Sequence, residues 1–188
     1  MSTAQFNLKD IAVIFLLAII SAAINIIIPM KTILNNIGIE GPAGGMVFFG
    51  GFIFILWISL APLITKKNFS AVATSVLIPA FCLPISPWYG IIDPPWFGIY
   101  GIVTFLIVGL IIEVFFRLKG DFLGFSIGGG LANFVCVITT WTAIGLHTNK
   151  WPIEENLPIY LIVAFISGAL GSLIAEVFIS FIRKEKGD

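Results

Sequence analysis

Six apolar blocks, each close to the length of a membrane span, fill this chain, and its basic residues crowd into every second gap between them. Of ten Lys and Arg residues, Lys9, Lys66, Lys67, Arg117, Lys119, Arg183, Lys184 and Lys186 fall on one side of an alternating path, and only Lys31 and Lys150 on the other. Short cytoplasmic loops retain Lys and Arg because these charges resist translocation. The bias predicts a multi-pass protein of the cell (plasma) membrane with both termini cytoplasmic, which requires an even number of spans. The composition leaves little room for another solution. Apolar residues make up 59% of the 188 positions and charged residues 11%, against about a quarter charged in a soluble domain. That is too little polar surface to cover a soluble core. A formal net charge of zero gives no basic field for nucleic acid.

A spanning helix needs about 20 mostly apolar residues. The blocks predict helices at about 11–29, 43–64, 70–85, 97–117, 122–146 and 157–182, so the fold class is an all-α membrane protein of six transmembrane helices in one domain over residues 1–188. The first block follows Lys9-Asp10 and is too long for a signal-peptide core, which makes it a retained helix. The third is short and carries Pro79 and Pro84. Proline removes a backbone donor, so a kinked or partly re-entrant span is expected there. Cys82 and Cys136 both lie inside apolar blocks and read as buried thiols rather than a disulfide.

Spans associate through close packing, which small residues four apart permit. Ala18 and Ala22 form such a pair, Gly124, Gly128 and Ala132 a stripe in the fifth block, and Ser167, Gly171 and Ala175 another in the sixth. Each is either an internal packing face or a contact for a different membrane protein. Two carboxylates, Glu113 and Glu176, sit near the cytoplasmic ends of their blocks. Glu113 lies four residues before Arg117, the spacing of a local ion pair; the other reading of both is coupling or proton movement.

The outer half is richer in aromatic and polar groups. Its segments hold Asn35 and Glu40, then Trp88, Tyr89, Asp93 and Trp96, with Tyr100 a turn further on; the fifth block adds Asn133, Trp141 and His147. Trp and Tyr anchor helices at the headgroup level, yet here they gather with Asp93, Glu40 and His147 on one side. A cup of flat rings with a few charges suits capture of a small molecule, and a carboxylate beside rings favours a cationic or amine-bearing heterocycle. Motifs for a nucleophile, a metal site or a bound phosphate are lacking, so neither an enzyme nor a cofactor is expected. Any use of ATP would need another subunit.

In size, topology and small-residue pattern the chain resembles the S components, the substrate-capture subunits of energy-coupling-factor (ECF) vitamin transporters. Ala18-Ile19-Ile20-Ser21-Ala22 is similar to the family's Ala-x-x-x-Ala face, and Gly101 to Glu113 is similar to the fourth helix of a thiamine-precursor type. The N-terminal histidine motif of the cobalt and nickel subtypes is absent. The resemblance implies an outer loop, with Asn35, Asn36 and Glu40, closing over the ligand. It also implies Ala18 and Ala22 as the face for a coupling transmembrane subunit, two ATPase subunits as further partners, and toppling in the bilayer as the transport step. A stand-alone small permease, with Glu113 and Glu176 as coupling groups, and a non-transporting scaffold protein are the alternatives.

Overall fold

The structure is a computed structural model that describes residues 5–28, 33, 36, 44–84, 95–119, 122–149, 151 and 156–185; for 95–99, 119, 122, 147 and 148 it describes the backbone alone. Among these residues all regular structure is helical: α1 (Leu8–Ile27), α2 (Gly44–Thr65), α3 (Ser70–Cys82), α4 (Pro95–Lys119), α5 (Phe122–Thr148) and α6 (Leu157–Glu185). Five are long and apolar enough to cross a membrane, α3 being the exception. At 13 residues α3 rises only about 20 Å, against about 30 Å of bilayer hydrocarbon. Pro79 lies within it, and the amide of Leu83 closes its last turn on the Pro79 carbonyl at 2.8 Å.

The hub is α2, which contacts each of the other five helices, while α1–α3, α3–α4, α4–α5 and α5–α6 pack side by side around it. In its apolar 18-residue stretch 67% of the residues are buried, against 33% in the corresponding stretches of α1 and α6. A helix in that position must be approached closely from several sides, and its glycines permit this. A Cβ on Gly51 would overlap the backbone carbonyl of Ser167, and one on Gly171 would overlap the carbonyl of Gly51. The α5–α6 seam is built the same way, with Gly129 against Gly168 and Ser172. The small-residue stripes of the fifth and sixth blocks are therefore internal packing faces.

Midway, α2 widens into a π-helical segment, Gly51–Ile55. Widened backbone leaves groups poorly served by the helix itself, and in a bilayer these must be satisfied by protein. Three neighbouring helices do so. The Ser21 hydroxyl of α1 donates to the Ile53 carbonyl at 2.6 Å. The Ser167 hydroxyl of α6 donates to the Phe48 carbonyl at 2.9 Å and accepts from the Gly51 amide at 3.1 Å. The Asn133 amide nitrogen of α5 donates to the carbonyls of Met46 at 3.2 Å and Ala164 at 2.8 Å. Deeper along the same seam the hydroxyls of Ser59 and Ser172 lie 2.8 Å apart.

The basic residues whose side chains are described, Lys9, Lys66, Lys67, Arg117, Arg183 and Lys184, collect at one end. An Asn7–Asp10 capping box starts α1 there, and Leu17 of α1 packs with Leu60 and Ala61 of α2 and with Ala175 and Ile179 of α6. Arg183 of α6 donates to the Leu63 carbonyl of α2 at 3.2 Å. The turn from α2 to α3 then runs under Arg117, whose guanidinium lies 4.6 Å from the centroid of the Phe69 ring.

Candidate functional site

At the opposite end the described structure gathers aromatic side chains from three helices. Trp141 of α5 and Tyr160 of α6 have ring centroids 5.7 Å apart at 47°, and Tyr160 meets Phe48 of α2 edge-on at 6.5 Å. Gly145, one turn above Trp141, has no side chain because the indole of Trp151 occupies the space where a Cβ would stand. Helix geometry explains the grouping. Phe48 lies early in α2, Tyr160 early in α6 and Trp141 late in α5, and α5 runs antiparallel to the other two, so all three arrive at the same depth.

A buried carboxamide accompanies them at this end. Asn25, near the end of α1, is 5% exposed and donates its amide nitrogen to the Cys82 sulfur at 3.5 Å. Its Oδ1 has no hydrogen-bond partner among the described residues. A buried acceptor left unmatched costs about 1–3 kcal/mol; Trp57 Nε1, Thr74 Oγ1 and Asn133 Oδ1 are further buried atoms in that state among the described residues. Cys82 ends the short α3. Both cysteines are free and buried, as expected of thiols in apolar blocks.

The expected binding residues divide into three groups. Asn35, Glu40, Trp88, Tyr89 and Asp93 lie outside the described residues, and Trp96 and His147 are placed by backbone only, in the first turn of α4 and the last of α5. Both of those turns are at the aromatic end. Trp141 is in the aromatic group at 5% exposure, whereas Tyr100 sits at the bundle surface at 36%. Asn133 lies deeper between the helices, and its Oδ1, like that of Asn25, has no hydrogen-bond partner among the described residues. It is 0% exposed and both of its donated hydrogen bonds are spent on α2 and α6 carbonyls, so it joins helices. Its Oδ1 lies against Gly50, where any Cβ would collide with it.

The small pair of α1 is buried within the bundle. Ala18 and Ala22 are 0% and 3% exposed and belong to the same apolar core as Val47, Ile53 and Phe54 of α2. The chain's own helices cover these methyl groups. The open stripe of α1 is Ile11, Phe15, Ile19 and Ile26.

Glu113 supplies the bland reading and more. It bridges to Arg117 at 2.9 Å, and its carboxylate also accepts from the Phe69 amide at 2.7 Å and the Ala71 amide at 3.2 Å. Phe69 starts α3 with a left-handed backbone, φ 65°, and no side-chain cap. A carboxylate from α4 thus takes the place of the missing cap, where the helix dipole favours negative charge.

Sequence reasoning missed Phe48, Tyr160 and Trp151. Tyr160 was legible as an aromatic one turn into the sixth block, on the same side as Trp141; Phe48 and Trp151 become recognisable only through the packing of α2 and α5. No family model, curated protein or solved structure matches the chain.

Proposed function

We propose that this chain is a substrate-capture membrane protein that takes a small, flat molecule at its aromatic end, and that it works as an S-component-like subunit of an ATP-driven importer. In this reading all six helices are embedded, the basic end is cytoplasmic and the aromatic end faces outward. The observation that carries it is the Phe48–Trp141–Tyr160 group at the end away from the basic residues. The unmatched Asn25 oxygen at the same end supports it. Rings of this kind bind a planar ligand by stacking, and an unspent carboxamide acceptor selects one that presents an N–H or O–H.

Glu113 weighs against the stand-alone permease. Its two oxygens hold a helix terminus and an arginine, which is a structural duty and not that of a mobile coupling group. A coupling subunit would meet the exposed stripe of α1.

The test is thermal stability of the purified protein against a panel of vitamins and their precursors. A ligand at a hundred times its dissociation constant should add about 2.7 kcal/mol. The shift should weaken in Trp141→Phe, which keeps a ring in place, and in Asp93→Asn. Absence of any shift across cationic and neutral heterocycles sinks the capture reading.

A further inference from the structure

We propose that the α2–α3 turn is a seat for the headgroups of anionic phospholipid, independent of what the opposite end binds. The turn, Lys66-Lys67-Asn68-Phe69, is held in an uncommon shape. Lys66 and Phe69 both have left-handed backbones, φ 53° and 65°, a conformation that a bulky non-glycine residue keeps only when its surroundings enforce it. The enforcement is visible. The Lys66 amide closes α2 on the Pro62 carbonyl at 3.0 Å, the Phe69 amide is held by Glu113 at 2.7 Å, and Arg117 lies over the Phe69 ring.

The result is a fixed tip with a cationic rim. Arg183 bonds the Leu63 carbonyl, one turn before Lys66, and Arg117 closes the far side at Phe69. Two lysines of the turn and two arginines from α4 and α6 thus stand at the same end of the bundle. Of the carboxylates at this end, Glu113 is paired with Arg117 and its side chain is 3% exposed, Asp10 is tied into the cap of α1, and Glu176 and Glu185 lie along α6 beside Arg183. Lys66 and Lys67 have no side-chain partner among the described residues. Between the charges Phe69 stands 50% exposed, an apolar ring placed where five long apolar helices reach the end of the bilayer.

An apolar ring next to two lysines without side-chain partners matches the headgroup boundary, where acyl chain and phosphate are adjacent. A soluble anion would satisfy the charges but leave the ring in water. Lys66 and Lys67 are the residues that confer the preference, since both arginines are already tied to the protein.

The test reconstitutes the full chain in nanodiscs of phosphatidylcholine with or without phosphatidylglycerol, reading thermal stability and, by native mass spectrometry, the lipid retained. The wild type should be stabilised by phosphatidylglycerol and retain it preferentially. In Lys66→Gln/Lys67→Gln the preference should fall about fivefold for each lysine neutralised, with stability in phosphatidylcholine alone unchanged. Lys66→Arg/Lys67→Arg should keep the preference, which separates loss of charge from damage to the turn. The proposal is overturned if the wild type shows no preference, if the double glutamine variant keeps it, or if inorganic phosphate in phosphatidylcholine discs reproduces the stabilisation.

Discussion

Glu113 shows how one residue joins two levels of structure. Four residues before an arginine it makes the expected i,i+4 pair, but an exposed pair of that kind contributes only a few tenths of a kcal/mol. Burial changes the balance. At 2% exposure its carboxylate serves Arg117 and two backbone amides at the start of another helix, and removing it strands the two amides while the 39% exposed Arg117 turns to solvent. Glu113→Ala should therefore cost about 1–3 kcal/mol, measured by denaturant unfolding in detergent. Glu113→Gln, which keeps one acceptor, should cost clearly less. If Glu113→Ala and Arg117→Ala prove equally mild, the cap is not holding the turn. Gly51 makes the opposite point, since its value lies in what it lacks. Gly51→Ala forces a methyl into the Ser167 carbonyl, and overpacking of that kind costs about 1–3 kcal/mol; unchanged stability would mean that α2 and α6 are further apart than described.

Among the elements, α2 is the one whose form depends most on its neighbours. Its π-helical segment is held by Ser21, Ser167 and Asn133 from three different helices. Hydrogen bonds between membrane helices average about 0.6 kcal/mol, with a maximum near 1.7. Ser167→Ala removes both the donor to Phe48 and the acceptor of Gly51, so its cost should lie towards the upper value. Ser21→Ala, which loses one bond, should lie near the average. Unfolding in mixed micelles can rank the two, and the reverse order would count against a shared hydroxyl bridge at Ser167. Helix α3 is the complementary case. Its start at Phe69 is held by a single side chain, the Glu113 carboxylate of α4, and it continues through Pro79 to Cys82.

For the molecule as a whole, the burial pattern and the charge pattern predict different measurements. Cys82 and Cys136 are 0% and 1% exposed and sit on two helices packed into one core. A membrane-permeant maleimide should label the folded protein at least about tenfold more slowly than the denatured chain; fast labelling of Cys82 would show that the α1–α3 contact opens readily. The charge pattern predicts sidedness. In a cysteine-free variant, single cysteines introduced at Asn68 and at Glu185 should both be shielded from an impermeant reagent in intact cells and react after permeabilisation. Labelling of either in intact cells would break the proposed orientation.

Much of this was legible in the sequence. Hydropathy and block length located all six helices to within a few residues, because in a bilayer the backbone must satisfy itself and a helix does so locally. The short, proline-bearing third helix and the Glu113–Arg117 pair followed from spacing alone. Ala18, Ala22 and Asn133 were legible as special but not as to what they touch. A small residue or a carboxamide suits an internal seam and an open face equally well, and periodicity gives the face of a helix without its partner. The sequence by itself determined which segments are helices and which ends carry the positive charge, because both depend on local transfer of side chains and charges between water and lipid. Only the tertiary structure decided that α2 is the hub, that Asn133 and Ser167 hold its π-helical segment, and that Phe48, Trp141 and Tyr160 meet. Those contacts join residues dozens of positions apart, and lipid gives no hydrophobic preference for one apolar helix partner over another; close packing and buried hydrogen bonds make the choice.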